Sequence, residues 1–393
     1  MGMKPNPHFR HNPKRAIFVN GPIDSKLLHN LSAKIIGFQS EDRSPITVYI
    51  DSPGGELSSA TALWKLLTSP TQDNPEPCHI ITVVTTRAAS AAADLLSSGD
   101  FALAHSHSTI LFHGSRMNMD RPMTLENTSF LAQYLRYTND KYAMDLLKRI
   151  EDRFMRRFIF SRRAIEEIRK ITPGKKLTDA DCFLALLKKN LTTKAQVVYE
   201  EACKRRDRYQ ALISAVLKKS PRSKSRTKTE AVRIKSIIDF ERENNKKNKS
   251  WTFEFDGLKE VNDDFFLINE YLSISESDRI NLICKRWGKS ALSSEEKEKM
   301  EKFADEKAKD KFLIKKVRPR LIPLWTFFVA LCHALQEGEN ELTAKDAYWF
   351  GLIDEIIGDS ATAVFRKLLE YTPDPSKEEI PNSPEAVGQK KIA

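Results

Sequence analysis

Cysteine is scarce in this chain. Its 393 residues include five, Cys78, Cys182, Cys203, Cys284 and Cys332, odd in number and scattered. No two form a CxxC pair, which argues against a disulfide framework and a zinc site and fits a reducing compartment. Long apolar runs are missing as well. The longest, LIPLWTFFVALCHAL at 321–335, is too short to span a bilayer and carries a histidine, so it reads as a buried helix. The N-terminal MGMKPNPHFRHNPKR is basic but has no apolar stretch of the kind a signal peptide needs. A cytoplasmic, membrane-free protein is the expectation. Acidic residues are thin in one place only. Residues 201–250 hold 16 Lys/Arg against 6 Asp/Glu, while the whole chain carries +11, so the basic character belongs to one segment.

What is present begins with alternation. AIFVN (16–20), ITVYI (46–50), HIITVVTT (79–86) and STILF (108–112) read as short strands rich in β-branched and aromatic residues. Between them, SKLLHNLSAKIIGFQS places Leu27, Leu28, Leu31, Ile35 and Ile36 on one helical face, and ELSSATALWKLL does the same with Leu57, Ala60, Trp64 and Leu67. Strand–helix–strand spacing of this kind predicts an α/β fold with parallel strands and crossover helices. From Thr124 to about Ile171 the pattern is one of long, charged helix, with Leu131, Tyr134, Leu135, Tyr142, Leu146 and Leu147 as packing positions. Residues 172–320 read as a largely helical basic insertion. It has a mobile loop near 218–228, a strand or hairpin arm at SWTFEFDGL, and an exposed helix over 291–317. Thr343 is the expected cap of a helix that Gly351 ends, and a disordered tail is expected over 373–393.

Three strand ends carry candidate chemistry. DSPGG ends the second strand and leads into a helix, Ser90 sits at the next strand-to-helix turn among small alanines, and His113 ends the strand after that. In a parallel sheet the C-terminal edges of neighbouring strands converge on one crevice. A serine at a helix start, a histidine able to take its proton, and glycine amides able to approach a carbonyl are the parts acyl transfer needs.

These blocks, in order, resemble the Clp protease proteolytic subunit family: IFVNGPID, ITVYIDSPGGELSSATALWKLL, AASAAADLLSSGD, ALAHSHSTILFHGSR and LTAKDAYWFGLIDEI. The resemblance covers about residues 16–170 and 320–360. It implies a Clp/crotonase-like parallel sheet with crossover helices, formed by residues 16–171 and completed by 321–372 after the insertion. It also implies serine peptidase activity on peptides or unfolded proteins, with no cofactor, in a homo-oligomeric ring that an AAA+ unfoldase can serve. By correspondence Ser90 is the nucleophile and His113 the general base. Gly55 and Ala91 supply the oxyanion-hole amides, and Gly54, Glu56 and Leu57 fall in the stretch that holds the substrate backbone.

The sequence departs from the family in four places. No aspartate stands where the third triad member belongs. The count falls on Leu335, and Glu337, Glu339, Glu341, Asp179 and Asp181 all stay open, as does absence of the residue. Asp94 replaces a large apolar residue one turn after Ser90, and if buried it calls for a partner such as Arg or Lys. The insertion interrupts the domain, and the N-terminal axial-loop sequence is missing. Two further readings therefore stand beside the peptidase. One is a catalytically weakened or inactive scaffold whose basic segment binds an acidic partner such as nucleic acid. The other, an acyl-CoA-handling crotonase relative, is disfavoured by the pairing of Ser90 with His113.

Overall fold

Alternation along the central strand gives it two apolar faces, and layers form on both. The computed structural model describes residues 3–70, 76–116, 124–171, 177–219, 278–369 and 371–373. Nine strands are described: β1 (Met3–Pro5), β2 (Ala16–Asn20), β3 (Ile46–Ser52), β4 (Ile80–Ala89), β5 (Phe101–His105), β6 (Thr109–His113), β7 (Glu339–Thr343), β8 (Glu355–Ile357) and β9 (Tyr371–Pro373). β2, β3, β4, β5 and β8 lie side by side, all parallel. β4 is long enough to serve two neighbours. Its first half pairs with β5 and its last three residues, Arg87–Ala89, pair with β6. β6 then takes β7 as an antiparallel partner, while β1 and β9 pair separately.

Three helices lie between the parallel strands: α1 (Ser25–Glu41), α2 (Leu57–Thr68) and α3 (Ala91–Ser98). Asp24 caps α1 by accepting from the Leu27 amide at 2.8 Å. Ile80 and Val84 of β4 belong to the large core shared with these helices, whereas Ile81 and Val83 turn to the other face, against Phe101, Leu103 and the ring of Phe9. Ile35 is buried as its helical position predicts, but Ile36 is half exposed at 50% because it falls at the edge of the α1 stripe.

The helical remainder consists of α4 (Leu125–Phe160), α5 (Arg162–Ile171), α6 (Asp179–Asn190), α7 (Thr193–Lys219), α8 (Asp278–Ala291), α9 (Ser294–Glu301), α10 (Glu306–Leu335), α11 (Ala344–Trp349) and α12 (Val364–Leu369). The second half of α4 is buried through Leu146, Leu147, Ile150 and Phe154, while Tyr134, expected to pack, is exposed. The apolar run 321–335 is the end of α10, buried on every side from Leu324 to Leu335. α10 passes Pro319 and Pro323 without a break, so residues 320 and 321 lie within one helix. The stretch 291–317 is not one helix. Ser293 starts α9 with a capping box, and Asp305 caps α10 separately. Phe154 of α4 stacks on Phe328 of α10 with centroids 4.5 Å apart, and residues of α6, α7, α8 and α10 share one apolar cluster with the sheet helices.

The C-terminal block docks through charge. Asp354 is buried, and its carboxylate accepts from Arg153 Nε at 2.7 Å, from Arg156, and from the Ala102 amide at 2.8 Å. Burial alone would raise the Asp354 pKa, but the three arginines of α4 and the amide bond outweigh it and hold the carboxyl below its ordinary range. Thr343 caps α11 in a reciprocal box with Asp346, and Gly351 follows with φ +81°, where a non-glycine residue would be strained. Among the described residues no helix is long and apolar enough to cross a membrane. Of the basic segment, residues 201–219 belong to α7 and 220–250 lie outside the described residues. SWTFEFDGL, most of the 218–228 loop and residues 374–393 are outside them as well.

Candidate active site

The turn after β4 is built around one unusual backbone. Ser90 has φ 55° and ψ −129°, and is the one non-glycine residue with positive φ among those described. Such a conformation costs of order 1–3 kcal/mol and persists only where neighbours enforce it. They do so here. The Ser90 amide donates to the Leu111 carbonyl of β6 at 2.8 Å, and its own carbonyl accepts from the Ala93 and Asp94 amides as α3 begins. Its side chain caps nothing and stays half-buried at the helix start. Ala91, Ala92 and Ala93 are buried, so the small residues answer a packing demand as well as leaving room above the turn.

DSPGG meets this elbow from the side. Ile23 donates to the Gly54 carbonyl and accepts from the Glu56 amide, both at 2.8 Å, which hangs the loop on the segment after β2. Gly54 has φ +91°, and a Cβ there would lie 2.5 Å from the Ala89 oxygen and 2.6 Å from Ser90 Cβ. Gly55, at φ +154°, would press a Cβ to 2.2 Å from the Ile23 oxygen. Both glycines are thus required by close approach of backbone to backbone. This alters the expected division of labour. The Gly54 amide is used by Ser52 Oγ at 3.1 Å and its carbonyl by Ile23, and Gly54 does not line the cleft. Glu56 and Leu57 do line it, but the Glu56 amide is already taken by Ile23. The amides of Gly55 and Ala91 have no acceptor among the described residues. That of Ala91 is the orphan N–H of a helix start.

Ser90, Ala91, Gly55 and His113 line one cleft of about 220 Å³, together with Asp94, Tyr142, Arg116 and Gln336. Ser90 and His113 share the cleft without a hydrogen bond between them among those resolved. His113 Nδ1 donates to the Gly114 carbonyl at 2.6 Å, so in the neutral tautomer that this bond selects Nε2 is the acceptor. The loop behind it is pinned by Asn139 of α4, whose side-chain oxygen accepts from the Ser115 amide at 2.7 Å.

Among the described residues, none of the candidate third-triad carboxylates lines the cleft with His113. Glu337 pairs with Arg205, Glu341 with Lys194, Asp179 with Arg169, and Asp181 caps α6 at Thr178. Glu339 stands opposite His113 in the β6–β7 register, yet its carboxylate binds Arg116. Gln336, one residue beyond the position reached by counting, is the side chain that enters the cleft. It is buried, and its Nε2 has no partner among the described residues. Sequence reasoning missed Arg116, three residues past His113, and also Tyr142 and Gln336, which arrive from the long helix α4 and from the end of α10, where nothing local marks them.

Asp94 lies one turn along α3 from Ser90, and no side chain among the described residues bonds its carboxyl. Desolvation raises its pKa to about 7, opposed by Arg149 and aided by the like charge of Asp145. The sought partner is therefore Arg149 at a distance, not in contact. Among the described residues no group of side chains is suited to hold a metal ion.

The family model described as Clp protease matches residues 9–142, the stretch that contains every residue of this cleft except Gln336. The ATP-dependent Clp protease proteolytic subunit 2 of Frankia casuarinae is 30% identical over 160 residues, which cover 37% of this chain and 70% of that protein. Subunit 3 of the same organism is 34% identical over 113 residues, covering 28% and 49% of the two chains. Proteolytic subunit 1 of Mycobacterium bovis is 32% identical over 105 residues, covering 25% and 48%. The chain thus spans most of the first relative and about half of the other two.

Proposed function

Because the chain belongs to the Clp protease family, we propose that it is a serine peptidase that cuts peptides or unfolded proteins through an acyl-enzyme on Ser90. One observation carries this reading: a hydroxyl held at φ 55° on a helix start, facing a cleft that also receives His113 and two amides that meet no acceptor among the described residues. In the proposed reaction Ser90 Oγ attacks the substrate carbonyl and passes its proton to His113 Nε2. The Gly55 and Ala91 amides receive the negative charge on the carbonyl oxygen, which the positive end of α3 also favours. His113 then protonates the leaving amine, and water, activated by the same nitrogen, releases the acyl group. The Gly114 carbonyl keeps the imidazole in the correct tautomer, as an orienting carboxylate would, but brings no full negative charge to stabilise the imidazolium. A slow enzyme is the expected outcome.

The reading extends to assembly. Leu125, Phe130, Tyr134 and Tyr137 are exposed on the first half of α4, and such apolar surface suits contact with further copies in a ring. A partner AAA+ unfoldase and a cytoplasmic location, where the five free cysteines remain thiols, belong to the same proposal. A second reading, a scaffold without activity, is favoured by the engagement of every candidate carboxylate with a cation or a cap. Labelling with a fluorophosphonate probe separates the two. The peptidase predicts modification of Ser90 that vanishes in Ser90→Ala, together with slow cleavage of casein. An unlabelled wild type with intact fold leaves the scaffold.

A further inference from the structure

The wall of the cleft beyond Ser90 is charged, and its charge is uncompensated by contact. Asp94 follows Ser90 by four residues, so the two share a face of α3 about 6 Å apart along the axis. Its carboxyl lines the cleft and meets no donor among the described residues, although burial there is unfavourable. The charged and titratable groups around it are Tyr142, Asp145 and Arg149 from α4, His113 and Arg116 from β6 and its loop, and Glu56 before α2. Of these, Arg116 is held by Glu339, Glu56 accepts from Ser59 at 2.8 Å, and Arg149 interacts with Asp94 only at long range. The acid beside the nucleophile thus lacks a bonded cation.

We propose that Asp94 selects substrates with a lysine or arginine side chain next to the attacked carbonyl, the cation bonding the Asp94 carboxylate. The inference rests on the peptidase reading and names its substrate class. One helical turn matches the reach of a lysine or arginine side chain whose own carbonyl lies at Ser90. The incoming cation also supplies the counter-charge that α4 does not bring into contact. Because Asp94 titrates near pH 7, the preference strengthens as pH rises through neutrality, and lysine and arginine stay charged throughout.

Two measurements on the full chain test it. In Ser90→Ala protein, binding of acetyl-Ala-Ala-Arg-Ala amide and its Leu counterpart is followed by calorimetry at pH 6 and pH 8. The arginine peptide should bind about tenfold tighter at pH 8, as expected for one close charge pair, with a smaller ratio at pH 6. Asp94→Asn should erase the ratio and Asp94→Leu should reverse it. Equal or tighter binding of the leucine peptide at pH 8, as when Arg149 closes onto Asp94, overturns the inference. So does an arginine preference that survives Asp94→Asn. Separately, wild-type protein is treated with diphenyl phosphonates carrying an arginine-like or leucine side chain. Equal modification of Ser90 by both rejects the selectivity while keeping the peptidase. No modification by either, with the binding ratio intact, rejects the peptidase and keeps Asp94 as a cation-binding residue.

Discussion

Replacing Asp94 by asparagine should stabilise the protein, and by an amount that depends on pH. The carboxyl sits in a cleft wall with no bonded donor, and desolvation moves its pKa from 3.8 to about 7. Below pH 4 both folded and unfolded chains hold the proton, so the group is neutral in its effect. Between the two values the unfolded chain ionises while the folded one stays protonated, and folding becomes less favourable as pH rises. Above pH 7 the cost levels off. At about 1.4 kcal/mol per pKa unit the full cost is about 4 kcal/mol, an upper bound because the cleft is open to solvent. Asn cannot ionise and has nearly the same size, so the gain of Asp94→Asn over wild type should be about 1.7 kcal/mol at pH 5 and about 4 kcal/mol at pH 8. Urea unfolding followed by tryptophan fluorescence at both pH values measures it. A gain that is the same at pH 5 and pH 8, or a variant less stable at pH 8, would refute the reasoning. A group that weakens the fold and faces the cleft is one a sequence keeps for something other than folding.

Other outcomes follow from the same geometry. Gly54→Ala drives a Cβ to 2.5 Å from the Ala89 oxygen, and should cost at least about 2 kcal/mol in urea unfolding and abolish probe labelling at Ser90. Ser90→Gly relieves the φ 55° strain and should stabilise by about 1 kcal/mol while removing all labelling; a destabilised variant would mean the elbow is not strained. Asp354→Ala leaves Arg153, Arg156 and Arg157 without their carboxylate and should cost about 3–5 kcal/mol by the same assay at pH 7. Since the Asp354 pKa is depressed in the fold, its contribution is present above the ordinary carboxyl range. It is lost as pH falls through the lower folded value, so the difference between variant and wild type should shrink in acid.

Local chemistry made several parts of the molecule readable in advance. The strand–helix alternation up to residue 113 is a repeated switch from period 2 to period 3.6, and each period follows from which face must be buried. The helix cap at Thr343 was legible for the same reason, because a cap is a bond to an amide two or three residues away. The buried run at the end of α10 was visible as apolarity on all sides. Reading failed where the outcome depended on distant chain. Tyr134 looked like a packing position but is exposed on the first half of α4. The stretch 291–317 looked like one helix until its two caps separated it. Gly54 looked available to a substrate, yet its amide and carbonyl are spent on Ser52 and Ile23.

By itself the order of residues determined which chemistry is on offer: a serine at a helix start, a histidine at a strand end and glycines at a turn, each set by bonds within a few positions of the chain. Only the tertiary structure decided what surrounds them. Which acids are free and which are tied to Arg116, Lys194 or Arg205 is a matter of packing between segments more than a hundred residues apart. So is the arrival of Gln336 beside His113, and so is the solitude of Asp94. Charges are judged by the company they keep in space, and that company is fixed by how helices and sheet close on one another, not by spacing along the chain.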